Sequence, residues 1–513
     1  ITPGSEIVYL RDGKTATISL TGAGGATTIA TNGKPDAVIQ MSDGPPAADE
    51  ITMILAGALP LALHPSPGKV ANIGIGSGLT SQVLLTSARV DSLVSIEIEP
   101  FMVDAARLGF MPRVEKLFSD PRSRIVIEDA KTFFAASGTR FDMIVSEPSN
   151  PWVSGVATLF SDEFYRQAVR HLEPGGLLVQ WLQIYETDIA IVVSILKALS
   201  PHFSDYHLYN VDDSNILVVA KKDGLLSDPD PGIFTEPALQ VELKRAGIVG
   251  LEDITSRRIG NKQLLDPYVR ASPVPANSDY FPFVDQNAQR FLFLNRNAME
   301  LPGLTVLPLP FLELSIPEWQ TAPLAAVPEF GRGLREEHSD RAGRIVASVA
   351  SDNLAFVPGK IGSAIIAVGA PAETCASSGG WRAWRAAVQM LSRQTSAMLP
   401  YSELRPLWRS IESSPCYMAA EPDDRRWPDF LHAVARRDRE AIISFSQELL
   451  REDASTMGRE DLEYVLAAAG ASLYGLGDRQ RASASVLAWA PALRTDSEFD
   501  LAFRLLAASG ISH

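Results

Sequence analysis

The chain has 513 residues, 46% of them apolar and 21% charged, which suits roughly three packed domains and excludes a wholly disordered protein. A net charge of −15 argues against broad electrostatic binding to nucleic acid but leaves a small cationic substrate possible. There are only two cysteines and no clustered histidines, so neither a disulfide scaffold nor a metal site is expected.

Residues 1–45 are predicted to form a small antiparallel β-meander. Glu6–Leu10 and Thr15–Leu20 have the composition of strands, and Asn32-Gly33 is typical of a tight hairpin turn.

Residues 46–222 alternate between strand-like apolar runs and helical stretches. This alternation predicts an α/β, Rossmann-like domain with a buried, mostly parallel sheet. The predicted strands are Val70–Ile75, Ser92–Ile98, Arg124–Ile127, Phe141–Val145, Leu177–Trp181 and Ile216–Ala220.

The remaining chain is predicted to form two further regions. Residues 223–335 are rich in proline and predict a short helix near Glu236–Ala246 followed by extended wrapping segments. Residues 336–513 are α-helical by composition, either as paired-helix repeats or as an irregular bundle.

A glycine-rich loop follows the first strand of the α/β domain. Gly74, Gly76 and Gly78 form a GxGxG pattern, with Ser77 between the last two, rather than the GxGxxG of dinucleotide sites. This spacing suits a loop that binds a nucleoside without a pyrophosphate, although a glycine loop by itself can be only a turn.

Acidic residues end the next two strands of the predicted sheet. Glu97 is preferred over Glu99 as the acceptor for both ribose hydroxyls. Asp129 is placed to accept from an adenine amino group, and the Ala130 backbone N–H to donate to the ring. Each acid alone could be a surface carboxylate or a helix cap, but the loop and both acids together predict adenosine binding.

The fourth strand leads into the segment Glu147-Pro-Ser-Asn-Pro-Trp152. Glu147 is a candidate base that takes a proton from an attacking amine, or a group that holds a cationic amine. Asn150 offers a donor and an acceptor to a substrate, and Trp152 a stacking surface. The alternative is a proline-stiffened loop with a packing tryptophan.

The run from Glu6 to Lys221 resembles the spermidine synthase family of polyamine aminopropyltransferases, which have the class I S-adenosylmethionine-dependent methyltransferase fold. The resemblance implies that Glu97, Asp129 and Ala130 hold adenosine, and that the co-substrate is S-adenosylmethionine or its decarboxylated form. The motifs that carry it are Ala58-Leu59-Pro60-Leu61, His64-Pro65, the glycine loop, Ile96-Glu97-Ile98-Glu99, Asp129-Ala130, Leu159-Phe160, Phe164-Tyr165 and Leu172-Glu173-Pro174-Gly175-Gly176.

The chain departs from this family in the half of the site that binds the amines. Ser77 replaces an acid that holds the aminopropyl amine, and the family's paired aspartates correspond to Glu147 and Asn150. Thr52-Met53 replaces a Tyr-Gln pair, and Asn210 or Asp212 lies where a substrate tyrosine is expected.

Glu147–Trp152 is similar to a bacterial subgroup of the family that often follows a multi-spanning membrane region, and Asn277–Pro282 resembles a downstream segment of that subgroup. Ile1 would then mark the soluble remainder, either cytoplasmic or on the cytoplasmic side of a membrane. A dimer through the β-domain and a protein partner on the C-terminal helices are further expectations.

Two functions remain from the sequence. The first is a transferase that moves an aminopropyl or a methyl group to a small, amine-like acceptor. The second is a non-catalytic nucleoside-binding scaffold or complex subunit whose helical tail binds a protein. The glycine spacing disfavours an NAD-dependent oxidoreductase.

Overall fold

The computed structural model describes residues 6–150, 155–319, 334–351, 357, 359–452 and 457–511. The described residues up to Met299 form one compact unit, and those from Glu300 onward form a second.

Twelve strands are described, all of them in the first unit. They are β1 (Glu6–Asp12), β2 (Thr17–Ala23), β3 (Ala26–Thr31), β4 (Lys34–Gln40), β5 (Lys69–Ile73), β6 (Ser92–Glu97), β7 (Ser123–Ile127), β8 (Phe141–Ser146), β9 (Leu172–Gln183), β10 (Asp205–Asn210), β11 (Asn215–Lys221) and β12 (Arg258–Asn261).

The helices of the first unit cover the central sheet and extend to residue 294. They are α1 (Ala48–Leu63), α2 (Leu79–Thr86), α3 (Pro100–Phe110), α4 (Glu115–Ser119), α5 (Ala130–Ala136), α6 (Asp162–Arg170), α7 (Ile189–Leu199), α8 (Pro237–Arg245), α9 (Leu251–Thr255), α10 (Lys262–Ala271) and α11 (Phe283–Leu294).

The second unit contains helices throughout its described residues. They are α12 (Glu300–Gly303), α13 (Phe311–Ser315), α14 (Leu334–Ser351), α15 (Gly359–Val368), α16 (Ala372–Cys375), α17 (Ser378–Thr395), α18 (Tyr401–Glu412), α19 (Pro415–Ala419), α20 (Pro422–Arg436), α21 (Arg439–Glu452), α22 (Arg459–Gly475), α23 (Arg479–Leu487) and α24 (Asp500–Ser509).

The N-terminal sheet is the predicted antiparallel meander, with strands in the order β1-β2-β3-β4. Asn32 and Gly33 join β3 to β4 with backbone φ angles of 51° and 81°, as the Asn-Gly turn predicts. Alternate residues of β2 face inward, and Ile18 and Leu20 are fully buried there.

The central sheet has eight strands in the order β12-β10-β11-β9-β8-β5-β6-β7. The five strands β5 to β9 are parallel, while β11 runs antiparallel between β9 and β10. The predicted α/β, Rossmann-like core is therefore confirmed. β5 lies between β6 and β8. The chain adds β6 and β7 on one side of β5 and then β8 and β9 on the other side. The carboxyl ends of the strands at this switch point frame a crevice.

Glu50, in the first turn of α1, ties three elements of the first unit together. Its carboxylate accepts from the backbone N–H groups of Gln40 and Ala47, both at 2.9 Å. It also pairs with Arg245 of α8 at 2.5 Å and with Arg113 at 3.4 Å. These contacts fix the N-terminal sheet against the helix that borders the crevice.

The proline-rich segment 223–335 differs from the expected extended wrapping. Its helix near residues 236–246 is confirmed as α8, but β12 and helices α9 to α13 follow within its described part. Proline is tolerated at the start of a helix, and Pro282 and Pro310 directly precede α11 and α13, whereas Pro267 lies inside α10. The boundary between the two compact units also falls inside this segment, at Glu300.

The helical second unit confirms the α-helical C-terminal region. Cys375 and Cys416, 41 residues apart in sequence, form a disulfide with a Cα–Cα distance of 5.6 Å that joins α16 to α19. The cysteine count gave no signal for this pair. Among the residues that the structure describes, no helix combines the length and apolar character needed to cross a bilayer.

Candidate active site

A cavity of about 580 Å³ opens in the first unit, where the parallel strands end. It is bordered by the glycine loop after β5, the ends of β6, β7 and β8, the first turn of α1, and the N-terminal sheet. The sequence-predicted residues that line it are Gly74, Gly76, Ser77, Glu97, Asp129, Ala130, Glu147 and Asn150.

The glycine loop has two positions where only glycine fits well. Gly74 has a φ of +86°, and a Cβ there would lie 2.4 Å from the Glu147 carbonyl oxygen, so the loop passes directly against the segment after β8. Gly76 has a φ of +52°, and a Cβ there would meet no atom within 4 Å because the position faces open space. Gly78 is the residue before α2 and does not line the cavity.

Glu97, at the end of β6, holds the glycine loop as well as facing the cavity. Its carboxylate accepts from the backbone N–H of Ile75 at 2.9 Å and from that of Glu99 at 3.0 Å. Burial raises the pKa of Glu97, and these hydrogen bonds oppose the rise. A carboxylate oxygen has two lone pairs, so it can still accept from two ligand hydroxyls.

Glu99 has a different task. It accepts from the backbone N–H of Thr15 at 3.0 Å and from the Thr15 hydroxyl at 2.8 Å, and so links β6 to the N-terminal sheet. Glu99 is therefore occupied by contacts within the chain, and the choice of Glu97 as the ribose acceptor stays a prediction.

Asp129 is the N-cap of α5, where it accepts from the Thr132 backbone N–H at 2.8 Å. The following residue, Ala130, begins the helix, so its own backbone N–H has no partner within the helix and is free for a ligand. Both residues line the cavity beside the loop that follows β7.

Ser77 is fully buried, and its hydroxyl donates to the Met53 sulfur at 3.0 Å. Thr52 and Met53, which replace the family's Tyr-Gln pair, both line the cavity. The serine that replaces the family's acid at position 77 therefore contacts α1, and this contact introduces no new charged group.

Glu147 lies where β8 leaves the sheet. Its carboxylate accepts from the Thr80 hydroxyl at 2.5 Å. Burial, with Asp49 nearby, raises the pKa of Glu147 to about 7. A carboxylate with this pKa exchanges protons readily at neutral pH, as a general base must.

Asn150 is buried and receives a hydrogen bond from the Tyr185 hydroxyl at 3.4 Å. Burial and the neighbouring carboxylates raise the pKa of Tyr185 to about 12, so its phenol stays protonated as a donor. Trp152, the other predicted substrate-binding residue, lies outside the described residues.

Asn210 and Asp212 do not line the cavity, although the sequence placed one of them at a substrate position. Asp212 instead contacts Asn215, which lines the cavity and whose amide donates to both Asp212 oxygens at 3.1 Å. Asn215 in turn accepts from the Trp181 indole N–H at 2.9 Å.

Several cavity residues were missed by sequence reasoning, most of all Asp36 of β4 and Asp49 of α1. Neither follows a strand of the parallel sheet, so the rule that selected Glu97 and Glu147 did not apply to them. Tyr185 follows the end of β9, and the same rule, applied to that strand, would have found it.

Asn277, in the Asn277–Pro282 motif, supports one wall of the cavity. Its buried amide donates to the carbonyl oxygens of Ala157 and Phe160, both at 3.0 Å. These bonds hold the single helical turn Val156–Phe160, three of whose residues line the cavity. In the described chain, no group of three or more potential metal ligands has suitable geometry for a metal ion.

The strand order and the crevice at the ends of β5 to β8 define a class I methyltransferase-like fold, in agreement with the sequence expectation. Residues 52–211 match the family model of the spermine/spermidine synthase domain, and these residues include the glycine loop and Glu147. Over these residues the chain is therefore similar to the spermine/spermidine synthase family.

Curated relatives bear the names of aminopropyltransferases. The polyamine aminopropyltransferase of Aeropyrum pernix is 32% identical over 197 residues, which are 36% of this chain and 62% of that protein. Polyamine aminopropyltransferase 1 of Pseudomonas aeruginosa is 30% identical over 175 residues, 34% of this chain and 59% of that protein. The chain thus spans less than two thirds of the length of these relatives.

Solved structures with a similar chain path include a spermidine synthase in complex with the transition-state analogue AdoDATO, with a TM-score of 0.39 and 17% identity over 56% of this chain and 88% of that one. The spermidine synthase of Thermotoga maritima has a TM-score of 0.38 and 17% identity, with the same coverage of both chains.

Proposed function

We propose that the first unit binds decarboxylated S-adenosylmethionine and transfers its aminopropyl group to a small amine, with Glu147 as the base. The charge of the cavity carries this proposal. Among its described lining residues are seven carboxylates and a single lysine, Lys34. The carboxylates belong to Asp36, Asp49, Glu97, Glu99, Glu128, Asp129 and Glu147.

This charge favours the decarboxylated donor over S-adenosylmethionine. The intact donor would bring its own carboxylate into a negatively charged, partly buried cavity, where like charges repel. Lys34 is already paired with Glu186 at 2.7 Å. Loss of the acid at Ser77 therefore does not remove the preference for a donor without a carboxylate, because other acids surround the same space.

In the proposed reaction, the amine nitrogen attacks the propyl carbon that is bonded to the sulfonium. A C–N bond forms, the C–S bond breaks, and sulfur keeps the electron pair and leaves as neutral methylthioadenosine. Glu147 accepts the proton that the nitrogen loses. Glu97, Asp129 and the Ala130 N–H would align the nucleoside, and alignment supplies much of the acceleration in a displacement of this kind.

The open cavity also supports a ligand-binding role over the scaffold hypothesis, since partly buried carboxylates that face a cavity cost stability unless a ligand pairs with them. The match of residues 52–211 to the family model and the names of the relatives favour aminopropyl over methyl transfer.

Calorimetry with S-adenosylmethionine, its decarboxylated form and methylthioadenosine tests the proposal, together with product analysis in the presence of amines. We expect the decarboxylated donor to bind at least tenfold more tightly than S-adenosylmethionine, and methylthioadenosine to form with an amine present. Gly76→Val, which fills the open space at the loop, should abolish binding of all three. Equal or tighter binding of S-adenosylmethionine, with methyl transfer to the amine, would contradict the proposal.

A further inference from the structure

Thr80 contacts Glu147 from behind, without bordering the cavity itself. It is the second residue of α2, it is 2% exposed, and it is not among the residues that line the cavity. Its hydroxyl donates to Oε2 of Glu147 at 2.5 Å. Among the described residues, Thr80 alone donates a hydrogen bond to this carboxylate, so the other oxygen, Oε1, is left for a ligand in the cavity.

The packing of α1 against α2 sets the position of the Thr80 hydroxyl. The two helices meet closely at Gly57 of α1, where a Cβ would lie 2.8 Å from Val83 Cγ1 and 3.1 Å from the Thr80 carbonyl oxygen. This approach also brings the Thr80 hydroxyl within 3.2 Å of the Met53 carbonyl oxygen. That carbonyl lies inside α1, where it accepts from the backbone N–H four residues further on and keeps a second lone pair.

The hydroxyl has one proton and two acceptors within reach, so it donates mainly to one of them at a time. An ionised carboxylate accepts the stronger hydrogen bond, and the distances of 2.5 Å to Glu147 and 3.2 Å to Met53 agree with this order. Once Oε1 has taken a proton, Oε2 loses most of its negative charge and its advantage as an acceptor. The Met53 carbonyl then accepts from the hydroxyl, so Thr80 keeps a partner in both protonation states of Glu147.

Electrostatics agrees with this geometry. Burial is the main cause that raises the pKa of Glu147 to about 7, the Thr80 hydrogen bond lowers it, and the charge of Asp49 on α1 raises it. The glycine loop and α2 carry no charged side chain. The titratable groups that β4, β6 and the end of β9 bring to the same cavity are Lys34, Asp36, Glu97 and Tyr185. The hydrogen bond from Thr80 is thus the contact that favours the ionised form of the base.

We propose that Thr80 is a positioning residue for the base: its hydroxyl holds Oε2 so that Oε1 faces the attacking amine, and it turns toward the Met53 carbonyl when Glu147 becomes protonated. This inference rests on the proposed function, in which Glu147 takes the proton of the amine. That proton moves from nitrogen to Oε1 as the C–N bond forms, and Glu147 becomes neutral. The Thr80 proton changes its acceptor but stays on its own oxygen.

The test compares Thr80→Val and Thr80→Ser with wild type. Valine keeps the branched shape and loses the hydroxyl, whereas serine keeps the hydroxyl. Thr86→Val is the matched control, because it makes the same change at the other end of α2, outside the cavity, where the hydroxyl donates to the Val83 carbonyl at 2.5 Å. Thermal unfolding and methylthioadenosine binding check that each variant is folded.

The pH dependence of kcat is measured with saturating decarboxylated S-adenosylmethionine and 1,4-diaminobutane. In wild type kcat should rise with pH as Glu147 ionises. Thr80→Val removes the hydrogen bond that favours the charged form, so the pKa of Glu147 should rise and the rising limb should move up by about one pH unit. At pH 7 kcat should therefore fall by about fivefold or more, with KM for both substrates within about threefold of wild type.

Thr80→Ser and the Thr86→Val control should keep the limb where wild type has it. A merely structural role of Thr80 would lower kcat or stability without moving the limb. A limb that does not move in Thr80→Val, or that moves equally in Thr80→Ser or in the control, would overturn the inference and leave Glu147 as the base.

If wild type turns over no amine, the proposed function fails, and the contact is tested through stability. Ionised Glu147 depends on the Thr80 donor more than the neutral acid does, so Thr80→Val should lower the melting temperature more at pH 9 than at pH 5. In the Glu147→Gln background the loss should be the same at both pH values. Equal losses with Glu147 present, or an unequal loss that persists with glutamine, would overturn the inference.

Discussion

Asp49 and Glu50 are consecutive residues in the first turn of α1, but their surroundings are opposite. Glu50 faces inward to two arginines and two backbone N–H groups. Burial alone would raise its pKa, but the hydrogen bonds from Arg245, Gln40 and Ala47 outweigh burial and bring the pKa below the usual value. Asp49 faces the cavity with a single backbone donor, and its pKa rises to about 6.

The contrast between Glu50 and Asp49 distinguishes a buried carboxylate that stabilises the fold from one that is available to a ligand. The Glu50 cluster is satisfied within the chain, so it stabilises the fold and has no capacity left for a ligand. The cavity group of Asp36, Asp49 and Glu147 is satisfied only in part, which costs stability and leaves charge for a substrate. Proteins often accept such a cost at sites of function.

Glu50→Gln should have the largest effect on stability. The substitution removes the charge that balances Arg245 and one partner of Arg113, so the free energy of unfolding should fall by about 3 kcal/mol. Denaturant unfolding measures it, with Asp49→Asn as the neighbouring control. Equal stability of the two variants would mean that the two acids do not differ as described.

Glu147→Gln should affect turnover rather than folding. The change keeps shape and loses basicity, so kcat should fall by on the order of 100-fold while nucleoside binding is kept. Removal of an acid whose pKa is raised by burial should leave the melting temperature unchanged or higher. Full activity of this variant on an accepted amine would refute the base assignment.

The sequence pointed to the acids at the strand ends that line the cavity, but not to the acids from β4 and α1 that line it as well. Glu97, Asp129 and Glu147 each follow a strand of a parallel sheet, and the carboxyl ends of such strands meet at one edge. Whether Asp36 or Asp49 faces the same cavity depends on how the N-terminal sheet packs on α1. An acid in the first turn of a helix is also common for reasons of helix stability, so Asp49 carried no distinct signal.

The same limit explains Asn277. Its motif was noted through resemblance, but its task depends on carbonyl groups more than a hundred residues earlier in the chain, at Ala157 and Phe160. Tertiary contacts of this kind leave no periodic pattern in the sequence.

Glu97 lies between Glu50 and Asp49 in how fully its carboxylate is hydrogen-bonded, because its donors are backbone N–H groups rather than cations. Glu97→Gln should keep part of the bond to Ile75 but remove the charge that accepts ribose hydroxyls, so methylthioadenosine should bind more weakly by about 1–3 kcal/mol. Calorimetry measures this, with Asp104→Asn, exposed on α3 outside the cavity, as control. Unchanged affinity in a folded variant would remove the assignment.

Asp49→Asn should raise stability by on the order of 1 kcal/mol, and only above a certain pH. The pKa of Asp49 is raised from 3.8 to about 6 in the folded state, so its ionisation opposes folding. The cost is absent below pH 3.8, grows up to about pH 6 and is complete above it. Unfolding curves at pH 4 and pH 8 should therefore differ between variant and wild type only at pH 8, and a gain at both values would point to a cause other than charge.

The smallest expected effect is a shift in the pH dependence of kcat. Glu147 accepts a proton only when it is ionised, so a pKa of about 7 predicts that kcat at saturating amine rises with pH through neutrality.

Asp49 contributes to the raised pKa of Glu147 through its negative charge, and Asp49→Asn removes that charge. The pKa of Glu147 should then fall, and the rising limb should move to lower pH by a fraction of a unit. Butylamine is a suitable acceptor because it has a single amine group, and the difference between the two proteins cancels the titration of that amine. A limb that stays in place, or moves to higher pH, would show that Asp49 and Glu147 do not share one electrostatic environment.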